Sequence, residues 1–203
     1  MRIIGGRHRG RRLEGPSERE FRPTSDRARE AVFNILTHWT LTEADDSDSD
    51  PSSASGAMSP LENAPVLDAF CGSGAMGLEA LSRGAARAAF LDSSRAALDV
   101  TRRNATTLGE SARCSIMFGD ATRPPPCPIR GGCRVAFLDP PYLAATPGAA
   151  LTALHASGWF ASKAIIVLER SGGETNHDFP PEKFALIDER RYGVARILFL
   201  TGP

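Results

Sequence analysis

Two short stretches hold the residues whose types and spacing suit chemistry. In "VLDAFCGSGAMGLEAL", residues 66 to 81, Gly72, Gly74 and Gly77 follow the spacing G-x-G-x-x-G, and an acid, Asp68, precedes the first of them by four positions. In "CRVAFLDPPY", residues 133 to 142, an apolar run stops on Asp139, Pro140, Pro141 and Tyr142. The glycine spacing by itself matches a dinucleotide fingerprint, in which the backbone comes close to a ligand at the carboxyl edge of a sheet. It does not say which ligand. Asp68 discriminates, because a carboxylate there repels a pyrophosphate but suits a ligand carrying an ammonium and a sulfonium. The charge therefore favours S-adenosylmethionine over a nicotinamide dinucleotide.

Further acids support that reading. Asp92 closes the next apolar run, 24 residues after Asp68, where an acid accepts from ribose hydroxyls. Asp120, followed by Ala121, closes the third and is expected to reach the exocyclic amine of an adenine. Phe70, Gly72, Ser73 and Gly74 complete the expected cofactor contacts. Cys71, inside the loop, reads as a small residue that fits rather than as a reactive thiol.

The Asp-Pro-Pro-Tyr ending has its own logic. Proline cannot continue a central strand, and it pushes the residue before it toward extended geometry, so the segment is stiff. Pro140 and Pro141 have no N–H, which leaves nearby carbonyls available as acceptors beside the Asp139 carboxylate. The exocyclic amine of a base is a poor nucleophile, because its lone pair is delocalised into the ring. Two acceptors holding its hydrogens would aim that lone pair at a methyl group, with Tyr142 stacked on the extruded base. Positioning is then the main catalytic device. Asp139, Pro140, Pro141 and Tyr142 are the expected catalytic set.

These residues need a scaffold that brings strand ends together. "APVLDAF", "RAAFLD", "RCSIMFGD", "CRVAFLD" and "KAIIVLE" are short, nearly unbroken apolar runs, most of them separated by segments of helical composition. That pattern predicts an α/β doubly wound, Rossmann-like sheet, mostly parallel and covered on both faces. "EKFALIDER" and "GVARILFL" predict an antiparallel C-terminal hairpin at one edge. The expected divisions are an N-terminal extension over 1–39, an acidic linker over 40–64 and a catalytic domain over 65–203. Within the extension, "RIIGGRHRGRRL" predicts a Gly-rich basic hairpin, and "TSDRAREAVFNILTHW" a helix placing Ala28, Val32, Ile35 and Trp39 on one face with Thr24 or Ser25 as N-cap. The linker, rich in acids, Ser and Pro, has too little to bury to offset its ordering entropy.

The formal net charge of zero over 203 residues is a cancellation between segments. Residues 1–30 hold nine arginines against five acids, and residues 43–62 hold six acids and no base. The basic end suits phosphates, with Arg7, Arg9, Arg11, Arg12, Arg22, Arg27 and Arg29 as candidate RNA contacts. The four cysteines, at 71, 114, 127 and 133, form no metal or disulfide spacing, so no metal is expected. No apolar run approaches the roughly 20 residues that span a bilayer, and the start lacks a secretory signal. A cytoplasmic, monomeric protein with no membrane partner is the expectation.

Taken together, "VLDAFCGSGAMGLEALSRGA", "FLDPPY" and "RIIGGRHRGRRL" followed by "RPTSDRAREAVFNIL" resemble the RsmD-type bacterial 16S ribosomal RNA guanine-N2 methyltransferases. The resemblance covers nearly the whole chain except the linker. It implies a class I methyltransferase fold, S-adenosylmethionine as donor, and one guanine amine of small-subunit rRNA as target. The expected partner is 16S rRNA within a small-subunit particle, with naked rRNA and an intact subunit left open. Arg22, Thr24, Asp26, Arg27, Arg29 and Glu30 match its N-terminal signature. His8 stands where the family often has an aromatic, and the linker is longer than the family suggests. Asp-Pro-Pro-Tyr is also shared with amino methyltransferases of DNA and of protein glutamine. Such enzymes need a larger target-recognition region than 39 residues. A nicotinamide oxidoreductase would share the glycine loop, and a non-catalytic RNA-binding module would share the arginines but has no use for Asp-Pro-Pro-Tyr.

Overall fold

The computed structural model describes residues 1–15, 26–39, 59–141, 147–171, 179–193 and 195–203. Seven strands form one sheet: β1 (Pro65–Ala69), β2 (Arg87–Asp92), β3 (Cys114–Phe118), β4 (Cys133–Leu138), β5 (Phe160–Ser171), β6 (Ala185–Tyr192) and β7 (Ala195–Thr201), in the order β3-β2-β1-β4-β5-β7-β6. The first five run parallel, and β7 is antiparallel to both β5 and β6. This is the doubly wound sheet with a C-terminal hairpin that the apolar runs predict. The helices are α1 (Asp26–His38), α2 (Ala75–Ser82), α3 (Arg95–Leu108) and α4 (Pro147–Ala156).

Burial on both faces explains why the parallel strands read as unbroken apolar runs. One face packs Val66, Phe90, Val135, Phe137, Val167 and Phe199 against α1, α2, α3 and the N-terminal hairpin. The other packs Leu67, Leu91, Leu138 and Leu168 against Leu151 and Leu154 of α4. Alternation along each strand therefore decides on which side an edge residue emerges. Among the described residues, no helix is long and apolar enough to cross a membrane.

The first 15 residues form the basic hairpin: Arg2 pairs antiparallel with Arg12, and Ile3 N–H donates to the Arg11 carbonyl at 2.9 Å. Ile3 and Leu13 enter the core of the sheet's α1/α2 face. α1 buries Ala28, Arg29, Val32, Phe33 and Leu36, so its core face is turned toward Phe33 and Leu36, while Ile35 and Trp39 pack at the margin. The expected N-caps, Thr24 and Ser25, and most of the expected linker lie outside the described residues. Residues 59–64, expected in that linker, instead fold as a turn that buries Leu61 and Ala64. Leu61 joins Val32 and Leu36 in one cluster, because it is a large apolar side chain within reach of α1.

Candidate functional site

The glycine loop connects β1 to α2, and its glycines have different physical reasons. Gly74, at φ +76°, precedes α2; a Cβ there would stand 2.8 Å from Thr101 and 3.2 Å from Phe90. At Gly77 a Cβ would meet the Phe90 ring at 2.5 Å, so this glycine lets α2 lie on β2. Gly72, at φ +54°, has nothing within 4 Å of a built Cβ, so its backbone borders open space. Phe70 takes a positive φ of 59°, unusual for a bulky side chain and a form of strain found at ligand sites. The loop is held from α3: Thr101 Oγ1 donates to the Gly72 carbonyl at 3.0 Å, and Asn104 Nδ2 to the Ser73 carbonyl at 2.9 Å.

Asp68, one residue before the end of β1, faces the α2 side of the sheet. It is 4% exposed, and its Oδ2 accepts from Gly77 N–H at 2.9 Å. Burial, opposed by that hydrogen bond and assisted by repulsion from Asp139 and Asp92, lifts its carboxyl to about 8. Asp92, at the end of β2, accepts from Gly72 N–H at 2.9 Å and from Ser94 N–H at 2.8 Å. Asp139 follows the last residue of β4, half-buried, with Pro140 buried and Pro141 exposed behind it. The ends of three adjacent strands, β2, β1 and β4, thus bring three carboxylates to one field beside an open glycine. Such a cluster of carboxyl groups, with Asp68 held protonated by burial and by its neighbours, suits a cationic ligand that favours the ionised form.

Other expected residues fall differently. Asp120 lies two positions beyond β3, exposed, with its Oδ1 accepting from both the backbone and the hydroxyl of Thr122 at 2.8 Å. Those bonds hold its carboxyl below the usual range. Asp120 caps its own turn and does not join the three acids. Ala121 is buried in the α4-side cluster, and Ser73 is buried with its hydroxyl 3.6 Å from the Met1 sulfur. Cys71 is buried, bonded to the Thr101 hydroxyl at 3.7 Å and pushed well up by burial, as expected of a packing residue. Tyr142 and Arg22 lie outside the described residues.

The arginines divide. Arg9, Arg12 and Arg27 are exposed. Arg11 is exposed but donates to the Thr107 carbonyl at 2.6 Å, and Arg7 donates to the Leu81 carbonyl at 3.0 Å and pairs with Glu110 at 3.1 Å. Arg29 corrects the expectation of an RNA contact: it is 1% exposed and donates to the Arg2 carbonyl and Asp26 carboxylate at 2.7 and 2.8 Å. It pins the hairpin to α1. A guanidinium so enclosed cannot meet a phosphate.

Two acids that the sequence reading missed fasten the hairpin. Glu79 of α2, 0% exposed, accepts from Ile4 N–H at 2.7 Å, Gly5 N–H at 2.8 Å and Arg83 Nε at 2.7 Å. Glu110 accepts from Arg7 and Arg113 and meets the His8 ring nitrogen at 2.5 Å. His8 is thus spent on a structural contact. The visible signal was Glu79 itself, an acid inside the otherwise uncharged helix "AMGLEALS".

The match to a protein family runs almost end to end: the model described as "Conserved hypothetical protein 95" covers residues 1–201. The chain belongs to that family. It is 33% identical over 173 residues to the ribosomal RNA small subunit methyltransferase D of Escherichia coli K12, spanning 83% of this chain and 74% of that protein. To the Haemophilus influenzae protein of the same name it is 29% identical over 202 residues, spanning 96% and 90%. The solved structure of yhhF from Escherichia coli superposes with a TM-score of 0.76 at 29% identity, covering 100% of this chain and 97% of that one. The seven-stranded mixed sheet is the class I methyltransferase fold.

Proposed function

We propose that this family member transfers a methyl group from S-adenosylmethionine to the exocyclic N2 amine of a guanine in 16S rRNA. The observation that carries the reading is the convergence of Asp68, Asp92 and Asp139 at adjacent strand ends beside Gly72. The names of the relatives point to small-subunit rRNA as the substrate.

The residues present fit the donor. Gly72 opens a path to the backbone, and Asp68 and Asp92 offer the negative field that an ammonium and a sulfonium need. Bound there, S-adenosylmethionine supplies an electrophilic methyl carbon. The Asp68 carboxylate takes the hydrogen-bonding place at Gly77 N–H, in the first turn of α2, where a pyrophosphate would bind a dinucleotide enzyme. That weighs against the nicotinamide alternative. Asp139 and the Pro140 carbonyl accept the two amine hydrogens and aim the nitrogen lone pair, Pro141 keeps the segment extended, and Tyr142 stacks on the base. The exposed arginines of the hairpin, with Arg22 and Arg27, hold the RNA backbone, and the substrate is a small-subunit particle. No metal takes part in this mechanism. The protein works as a cytoplasmic monomer, with residues 1–39 as its RNA-binding extension and 40–58 as a spacer.

The test supplies labelled S-adenosylmethionine with naked rRNA and with small-subunit particles from cells lacking the gene, followed by mass spectrometry of the nucleosides. N2-methylguanine is the expected product. Label in N6-methyladenine, in DNA or in protein, or no label with either substrate, overturns the reading.

A further inference from the structure

Glu169 ends the apolar run of β5, and the mechanism above leaves it without a role. Its place in the sheet is well defined. β4 and β5 pair Phe137 with Val167 and Leu138 with Leu168, the last pair of the ladder, and carrying that register one residue further would set Asp139 beside Glu169. Alternation then fixes the face: Val167 packs on the α1/α2 side and Leu168 on the α4 side, so Glu169 returns to the α1/α2 side, as Asp139 does after Phe137. Across β5 its partner is Ile197, which belongs to that same α1/α2-side cluster. Glu169 is 7% exposed and stands at the carboxyl end of its strand. Adjacent strands lie about 4.8 Å apart, so that register would put the two residues on neighbouring strands at one side of the cleft.

Resting on the guanine-N2 reading, we propose that Glu169 is the residue that selects guanine, by accepting a hydrogen bond from its N1–H while Asp139 and the Pro140 carbonyl hold the N2 amine. Guanine presents two neighbouring donors, N1–H and the N2 amine. Adenine and cytosine instead have an acceptor ring nitrogen beside their exocyclic amines. A carboxylate next to the amine clamp rewards the N1 donor and repels an acceptor lone pair. The shared Asp-Pro-Pro-Tyr clamp cannot make that distinction, because every exocyclic amine offers it the same two hydrogens. The neighbouring strand supplies what the clamp lacks. Glu is also one methylene longer than Asp139, which suits a partner deeper along the Watson–Crick edge than the amine.

The experiment compares guanine with 2-aminopurine at the target position of whichever RNA substrate supports methylation. 2-Aminopurine keeps the N2 amine but has an acceptor at N1. Wild-type protein is expected to prefer guanine in kcat/KM by about 10- to 100-fold, the scale of one charged hydrogen bond made or lost. Glu169→Gln, whose amide can donate to N1, is expected to lower kcat/KM on guanine and raise it on 2-aminopurine, bringing the ratio close to one. Its affinity for S-adenosylmethionine should stay within twofold of wild type. A merely structural Glu169 would lower both substrates together and leave the ratio unchanged, which overturns the proposal. Equal wild-type rates on the two bases overturn it without any variant. Failure of wild type to methylate guanine N2 at all is a separate result, and it removes the underlying reading as well.

Discussion

Asp68 and Glu79 are both buried carboxylates near α2, nine-tenths or more hidden from water, yet they live in opposite surroundings. Glu79 is saturated by donors, two backbone N–H groups and a guanidinium. Asp68 has the backbone N–H groups of Gly77 and Met76 but no cation among the groups that shift its carboxyl, and it faces Asp92 and Asp139, carboxylates like itself. A buried acid that is fully paired holds structure together, because its desolvation is offset within the fold. A buried acid among acids is held at a disadvantage until a cation arrives. The contrast separates the part of this molecule that fastens the N-terminal hairpin from the part proposed to take the methyl donor.

The sharpest way to break the comparison is to remove each charge. Asp68→Asn keeps an oxygen for Gly77 N–H and removes the repulsion, so the free protein should melt at an unchanged or higher temperature. Affinity for S-adenosylmethionine should fall by about 100-fold or more, since loss of a desolvated charge partner costs about 3 to 5 kcal/mol. Calorimetric titration beside a thermal melt checks both halves. Glu79→Ala should do the reverse, stranding Arg83 and two N–H groups at a cost of about 3 to 5 kcal/mol in stability. Hydrogen exchange at Ile4 and Gly5 should rise, while donor affinity in the protein that remains folded stays within twofold.

A pH series tests the same difference. Because burial lifts Asp68 from 3.8 to about 8, the folded free protein keeps a proton that the unfolded chain releases in that window. Its contribution to stability is full below pH 3.8, declines as pH rises and is lost above about pH 8. Binding of a cation needs the ionised form, so donor affinity should rise about tenfold per pH unit between pH 6 and 8, with proton release on binding. Titrations in buffers of different ionisation enthalpy measure this release. In Asp68→Asn the slope should vanish; a slope that persists assigns the titration to another group.

The grouping of Asp68, Asp92 and Asp139 at adjacent strand ends was largely legible in the sequence. Glycine spacing, an acid at each strand end and Asp-Pro-Pro-Tyr are local signals, and the parallel sheet brings successive strand ends to one edge whatever the loops do. That Asp120 stands apart from the three acids was harder to read, because a strand-end acid and a turn-capping acid look alike in sequence; Thr122, two residues on, was the sign of the cap. The hairpin's attachment was not legible. Ile4 and Glu79 are 75 residues apart, and a long-range bond to a backbone N–H leaves no pattern in side-chain types. For the same reason an arginine count could not tell Arg29, 1% exposed, from Arg27 two positions earlier, which is exposed.

That last pair gives the comparison its finest test, on the arginines themselves. Replacing Arg9, Arg11 and Arg12 with Ala removes exposed charge from the hairpin while leaving Ile3, Leu13 and the Glu79 contacts in place. RNA affinity should fall by about 10-fold near physiological salt, and the slope of log K against log salt should become shallower by about 2 to 3, the value for three phosphate contacts. Melting temperature and donor affinity should scarcely move, because among the described residues the one side-chain bond these three make to the body of the protein is that of Arg11 to the Thr107 carbonyl. Arg29→Ala should act on the other axis. It frees the Arg2 carbonyl and the Asp26 carboxylate and leaves a cavity between hairpin and α1, so melting temperature drops while the salt slope stays as it was. If Arg29→Ala instead flattens the salt slope with no change in melting, burial is a poor guide to role in this hairpin, and the division between fastening and ligand-facing charges fails here first.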